Sequence, residues 1–173
     1  MPNPLELPRR KFEYEDFVWT SYTDLKEWSL NETPWRYYLD TAVHFDGPEL
    51  KGVVRPVNEG GDELPPVGPM HVITAIQPGS SQESEESTAR MDVLSRELER
   101  EGIEFIRAFG ISLDGSYREE SRAIFGLDDV QAQQLGRRFG QVAIFAWRGP
   151  TWSLLACASD RQTHRPWRWE ELT

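Results

Sequence analysis

The chain has 173 residues and a net charge of −10, because 29 Asp and Glu outnumber 19 Lys and Arg. This length suits one domain with a packed core, and a composition of 38% hydrophobic and 28% charged residues excludes wholesale disorder. The acidity is opposite in sign to what a phosphate backbone attracts, so we expect no direct nucleic-acid binding.

The sequence gives no sign of a membrane segment or a metal centre. No apolar run approaches the ~20 residues that a spanning helix needs, and the first residues do not resemble a signal peptide. We therefore expect a cytoplasmic protein without membrane association. Cys157 is the only cysteine, which excludes an internal disulfide and a cysteine-rich zinc site. The three histidines are scattered singly, so we expect no metal and no cofactor.

Residues 1–50 form an aromatic-rich amino-terminal segment. Apolar side chains between Tyr14 and Trp28 recur at helical spacing and predict an amphipathic helix, whereas residues 35–45 alternate and predict a half-buried strand. A segment this short is marginal as an independent fold, so we expect it to dock on the rest of the chain. Residues 51–69 follow as a connector rich in proline and glycine.

Residues 70–158 are predicted to be the core domain, and residues 159–173 a tail that contains tryptophan. The core begins with an apolar strand, and a helix with capping-box spacing at Ser80 to Glu83 then runs to Gly102. Four further elements complete the core: a hairpin around Asp114-Gly115, a helix from Asp128 to Gly140, a strand over 141–147, and a last strand over 152–157.

This order of elements predicts the fold class. Strand, helix, strand, strand, helix, strand matches a split βαβ, ferredoxin-like two-layer α+β sandwich, which the final core strand would widen. A three-layer α/β arrangement is the alternative. The strand over 141–147 is apolar on both faces and is expected to be the most buried.

Two polar turns contain the candidate site residues. The turn from Gln77 to Ser81 precedes a helix start, where free backbone N–H groups and hydroxyls can hold an anion, although plain helix capping also explains it. The stretch 114–121 combines acids, hydroxyls and an arginine, and its alternative interpretation is a solvated hairpin. Glu120 is a candidate general base. The candidate ligand-binding residues are Gln77, Ser80, Ser81, Arg118, Glu120, Ser121 and Gln141.

These turns, together with the strand that starts at His71 and the stretch 135–145, resemble a small bacterial family catalogued as domain of unknown function 3293. The resemblance covers about residues 71–157. Members typically have an Asn-Pro turn after the first strand and a Glu-x-Ser stretch after a glycine turn. Here Gln77 stands in place of that asparagine, and Glu120 and Ser121 are adjacent. The resemblance implies no activity.

Three functions stay open at this stage, and so does the question of whether the protein is an enzyme. The first hypothesis is a noncatalytic binding or protein-interaction domain, with aromatic side chains as anchors for another protein or a second copy of this chain. The second is a small enzyme or sensor for a phosphorylated or nucleotide-like ligand, whose anionic group the first turn would hold. The third is an acidic mimic of nucleic acid that acts as an inhibitor.

Overall fold

A computed structural model describes residues 11–59, 69–81 and 83–172. The helices in this part of the chain are a short 3-10 helix at Tyr14–Asp16, α1 (Tyr22–Ser29), α2 (Glu32–Leu39), α3 (Glu85–Arg100) and α4 (Asp129–Arg138). The strands are β1 (Thr41–Asp46), β2 (Lys51–Pro56), β3 (Met70–Ile73), β4 (Phe105–Ser112), β5 (Arg118–Phe125), β6 (Ala143–Arg148), β7 (Thr151–Ala156), β8 (Gln162–Arg165) and β9 (Trp167–Glu171).

Three local predictions differ from the structure. The helix predicted over residues 14–28 is shorter, because residues 17–21 are not helical and α1 begins after its N-cap, Ser21. The strand predicted over 35–45 begins only at residue 41, since residues 32–39 form α2, whose N-cap Asn31 accepts a hydrogen bond from the Thr33 amide. α3 is capped by Ser84 rather than Ser80; Gln82, within the predicted capping box, lies outside the described residues.

The nine strands form a single antiparallel sheet in the order β8-β7-β6-β3-β5-β4-β1-β2-β9. The two edge strands, β8 and β9, are consecutive in sequence and are separated only by Pro166. One residue cannot span a flat nine-stranded sheet, because neighbouring strands lie about 4.8 Å apart. The sheet therefore curls until its edges nearly meet, and the Val57 amide bonds the Pro166 carbonyl at 3.0 Å beside that junction.

The predicted ferredoxin-like two-layer sandwich is wrong, because the architecture is a nearly closed antiparallel barrel with helices. The four strands on which that prediction was based are neighbours in the order β6-β3-β5-β4, and β7 lies beside β6, where the final core strand was expected. Four more strands extend the sheet, β8 on one side and β1, β2 and β9 on the other. The three-layer α/β alternative is also wrong, since every strand pairing is antiparallel. A ferredoxin-like sheet leaves one face open, whereas this sheet encloses an interior.

One end of the barrel interior is filled by five aromatic side chains, here called the aromatic plug: Phe45, Trp147, Trp152, Trp167 and Trp169. The ring of Trp147 is fully buried and lies at the centre, with the ring centroid of Trp167 5.1 Å away. The Trp167 indole N–H donates to the Pro150 carbonyl at 2.9 Å. The plug therefore anchors the carboxyl-terminal strand inside the barrel.

The outer face of the sheet carries α3 and α4 over a second apolar cluster that includes Leu94, Phe139 and Ile144. The aromatic amino-terminal residues cover the same side: Tyr14 and Trp19 stack on each other, and both meet the Phe139 ring edge-on. None of the seven tryptophans is among the exposed large hydrophobic residues in the described part of the chain. Four of the tryptophans are buried and three are partly buried, so most of their ring area packs within the fold: the buried ones are Trp35, Trp147, Trp152 and Trp167.

Gly136 permits the close approach of α4 to the sheet. A Cβ atom at this position would lie 2.5 Å from the Cys157 Sγ and 3.0 Å from the Ile144 Cγ2, both of which belong to buried residues. We expect Gly136→Ala to lower the free energy of unfolding by about 1–3 kcal/mol, measured by urea denaturation. Combining it with Cys157→Ala removes the nearest atom, so the double variant should lose less stability than the sum of the two single variants. Strict additivity would contradict this packing.

The division into four segments stays a prediction. The structure places β1 and β2, from the first 56 residues, and β8 and β9, from the tail, in the same sheet as the core strands. Residues 60–68 of the predicted connector lie outside the described residues. No helix in the described ranges is both long and apolar enough to cross a membrane.

Candidate functional site

A cavity of about 770 Å³ occupies the end of the barrel opposite the aromatic plug. Its walls are inward-facing residues near the ends of β1, β3, β4, β5 and β6, and α2 lies over the opening. Trp35 of α2 packs on the inner side of β7, with Leu154 and Ala156, and this contact fixes the helix at the mouth. The exposed side chains of Tyr37 and Tyr117 lie at the rim.

Glu119 is a charged side chain in this wall. It lies on β5 directly opposite Gly110 of β4, and Gly110 in turn is opposite Val43 of β1. Because glycine has no side chain, the space in front of the Glu119 carboxylate is left open to the cavity. The Tyr117 hydroxyl donates to Glu119 Oε2 at 2.8 Å. The other oxygen, Oε1, has no hydrogen-bond partner among the residues that the structure describes.

Burial raises the pKa of Glu119 from its ordinary value to about 7, and the hydrogen bond from Tyr117 opposes that rise only in part. Glu119 borders the cavity and so keeps some exposure, but protein atoms crowd the carboxylate closely enough to disfavour its charge. A carboxyl group that titrates near neutrality can accept a proton or a hydrogen bond, or neutralise a cation.

Tyr38 brings a second polar group from α2 into the same cavity. Burial raises the pKa of its phenol, and the nearby Glu119 charge raises it further. The hydroxyl therefore stays protonated at neutral pH and has no hydrogen-bond partner in the described part of the chain. The Tyr38 hydroxyl and the Glu119 Oε1, neither of which has a partner among the described residues, thus belong to two residues that line the same cavity.

The charged groups around the cavity are acidic. The described lining contains Asp40, Asp114 and Glu119 but no lysine, arginine or histidine. Hydrogen bonds from Ser116 and Ser112 lower the pKa of Asp114 to about 2, so this rim carboxylate is ionised at neutral pH. Asp40 lies 3.5 Å from the Arg165 guanidinium, which offsets its charge. The field inside the cavity therefore favours cations over anions.

Three of the sequence-predicted site residues, Ser80, Ser121 and Gln141, line this cavity. The Gln141 side-chain amide donates to the carbonyls of Ile76 and Phe139, which orients it at the wall. Ser121 follows Glu119 by two residues on β5, so strand alternation places both on the inner face. The first turn and the acidic stretch thus meet at one cavity.

The structure places Glu120 and Arg118 on the opposite face of β5. Glu120 pairs there with Arg122 at 3.0 Å and Arg107 at 3.7 Å, so the candidate general base does not face the cavity. The guanidinium of Arg118 lies 4.0 Å from the centroid of the Phe109 ring. Neither side chain can meet a ligand that Ser80 and Gln141 contact.

Gln77 and Ser81 have structural partners. Gln77 is buried, its Oε1 accepts from the amide and hydroxyl of Thr20, and its Nε2 donates to the carbonyls of Ala75 and Phe139. This side chain ties the amino-terminal segment to the barrel. The Ser81 hydroxyl accepts from the Glu83 amide at 3.3 Å in the turn before α3.

Sequence reasoning missed Glu119, Tyr117 and Tyr38. A usable signal existed for Glu119, since Ser121 and Ala123 share its strand face and Ala123 belongs to the buried inner cluster. Tyr38 was missed because its segment was predicted as a strand. Its role follows only from the position of α2 over the barrel opening.

Two of the three histidines bond within the fold. His71 Nε2 lies 2.8 Å from an Asp129 carboxylate oxygen, and His164 Nδ1 lies 2.6 Å from the Ser153 hydroxyl. Among the described residues no group of three or more His, Cys, Asp or Glu side chains is arranged to hold a metal ion.

Residues 73–144 match the model of the family described as protein of unknown function DUF3293. The predicted resemblance is confirmed over this segment. It covers less than half of the chain, from the end of β3 to the start of β6. The DUF3293 segment supplies Glu119, Tyr117 and Gln141 to the cavity, whereas Tyr38 and Phe145 lie outside it. No curated protein and no solved structure matches the chain significantly.

Proposed function

We propose that this protein binds a small, largely apolar organic molecule inside the barrel. The observation that carries the proposal is the cavity of about 770 Å³, which is within the size range of ligand pockets in proteins. Aromatic and aliphatic side chains such as Phe145, Val43 and Val72 form its walls, and a few polar groups converge on it. This combination is typical of a small-molecule site.

The construction of the barrel supports the same function. Five aromatic rings pack together at the plug end, whereas the cavity end has small residues at the wall, including Gly110, Ala143 and Ser121. A protein that needed only stability would gain by filling this space, since buried voids cost contacts. The open volume therefore favours a binding role.

Two of the earlier hypotheses receive less support from the geometry. A phosphorylated ligand needs cationic partners, and the described lining contains none. A protein interface anchored by tryptophan needs exposed rings, whereas the tryptophans contribute to the interior. Binding of a small molecule, without a catalytic step, fits the arrangement best.

A neutral fluorophore tests the proposal. We expect Nile red, which brightens in apolar surroundings, to bind the full chain with a saturable increase in fluorescence. Ala143→Trp places an indole in the cavity and should weaken this binding at least tenfold, because the indole takes the volume that the dye would fill. Glu99→Trp adds the same side chain to the exposed surface of α3 and serves as the matched control.

The outcomes of this titration are distinct. Binding to wild type and to Glu99→Trp, but not to a folded Ala143→Trp, would support the cavity as the site. No saturable signal with wild type, or equal affinities for all three proteins, would overturn the proposal. Far-ultraviolet circular dichroism would show that each variant is folded.

A further inference from the structure

We propose that the ligand of this cavity is a protonated organic amine, whose ammonium group pairs with Glu119 while its apolar body occupies the space beside Phe145. This inference rests on the proposed function and specifies the class of ligand. It is carried by the position of the Glu119 carboxylate in a largely apolar cavity whose described lining includes two further carboxylates and no cationic side chain.

The first step concerns the hydrogen bonds of Glu119. Tyr117 satisfies Oε2, and Oε1 has no partner among the described residues, so an acceptor faces the cavity. An ionised carboxylate has no N–H or O–H of its own and can only accept. A ligand group that bonds Oε1 of the ionised form, which predominates at pH 8, must therefore be a donor, and a charged donor makes the stronger bond.

The second step concerns charge. The ionised Asp114 at the rim and the ionised form of Glu119 repel anions, and the described lining has no cationic side chain to offset them. The chain as a whole has a net charge of −10, which attracts cations towards its surface. A carboxylic acid or phosphate of the same size would meet repulsion throughout its path.

The third step concerns the aromatic rings. Tyr38, Tyr117 and Phe145 line the same cavity as Glu119. Aromatic rings attract ammonium groups through their quadrupoles and also provide apolar contact for the rest of the ligand. An amine with an apolar body can use all of these groups, whereas an alcohol uses only the apolar contact and a hydrogen bond.

Because Glu119 titrates near neutral pH, the affinity for an amine should depend on pH. The titratable groups beside this carboxyl are Tyr117, which directly precedes its strand, and Tyr38 from α2, while Asp40 and Asp114 line the same cavity. Both phenols stay neutral and Asp114 stays ionised. Since the pKa of Glu119 is about 7, lower pH protonates the carboxylate and removes the partner of the ammonium group. Amine affinity should therefore rise from pH 5 to pH 8.

Isothermal titration calorimetry with three probes that share one body tests the inference: 4-phenylbutylamine, 4-phenylbutan-1-ol and 4-phenylbutyrate. At pH 8 we expect wild type to bind the amine at least tenfold more tightly than the alcohol, and the carboxylate most weakly. Glu119→Gln should bind amine and alcohol with similar affinities. Glu120→Gln, which removes a carboxylate from the opposite face of the same strand, should retain the amine preference.

A second measurement does not depend on any variant. Amine binding to wild type should weaken by about tenfold per pH unit below 7, as expected when one proton must leave for binding, while alcohol binding stays constant. Equal affinity for amine and alcohol, or a preference that survives in Glu119→Gln, would overturn the inference but leave the proposed function intact if Nile red still binds. Failure of Nile red and all three probes to bind would overturn both.

Discussion

Replacing Trp147 with alanine is expected to lower the free energy of unfolding by about 3–5 kcal/mol. Trp147 is fully buried, and its ring lies 5.1–5.9 Å, centroid to centroid, from the rings of Phe45, Trp152, Trp167 and Trp169. Removing it leaves a void at the centre of the aromatic plug, where several large rings cannot all move to fill it. Urea denaturation monitored by circular dichroism measures the loss.

Two variants make this prediction specific. Trp147→Phe keeps an aromatic ring and removes an indole N–H that has no hydrogen-bond partner in the described structure, so it should cost much less than alanine. Val130→Ala truncates an exposed side chain on α4 and should change stability by no more than about 0.5 kcal/mol. Similar unfolding midpoints for Trp147→Ala and Val130→Ala would show that the plug does not hold the barrel together.

Glu119→Gln is expected to make the protein more stable than wild type at pH 8, by about 2–3 kcal/mol, and to have little effect near pH 5. Burial raises the pKa of Glu119 to about 7 in the folded chain, against an ordinary value of 4.5. The folded protein thus holds this proton more tightly than the unfolded chain. The stability that the protonated Glu119 contributes is fully present below pH 4.5 and is lost as pH rises through about 7.

Glutamine imitates the protonated carboxyl, so Glu119→Gln keeps that stability at every pH. Urea denaturation of wild type and Glu119→Gln at pH 5 and pH 8 tests the prediction, with Glu120→Gln as the control. Glu120 lies outside the cavity in ion pairs with Arg107 and Arg122, so its replacement should not stabilise the protein at pH 8. A stability difference between Glu119→Gln and wild type that is the same at both pH values would contradict the burial of this carboxylate.

Elements with strong local signals were predicted well from the sequence. α4 begins after the predicted N-cap, Asp128, and the Gln131 side chain completes the capping box. The hairpin between β4 and β5 turns at Asp114-Gly115, as predicted. The strand predicted over 141–147 is largely buried as β6, with Ile144 and Trp147 almost fully enclosed. Contrary to expectation, it is not the most buried strand, because every residue of β3 and all but the first residue of β7 are buried. These features depend on neighbours only a few residues away, so the sequence contains most of the information.

The candidate site was harder to predict because it depends on which face of a strand is inside. Strand alternation separates Glu119 from Glu120, but it does not say which of the two faces an open interior. In a two-layer sandwich, the face away from the helices meets solvent. In the barrel, that face lines the cavity. Glu119 is therefore the carboxylate that borders the cavity, whereas Glu120 forms an ion pair with Arg122 on the other face.

By itself, the sequence determined the acidic charge, the order of the core elements, the Asp114-Gly115 turn, the Asp128 cap, and the family resemblance that residues 73–144 confirm. Only the tertiary structure decided that the sheet closes, because closure requires β9 to pair with β2 more than 100 residues earlier in the chain. Such pairing depends on register and curvature over the whole sheet, which no local pattern encodes. The cavity, the position of α2 over it and the burial of Glu119 all follow from that closure.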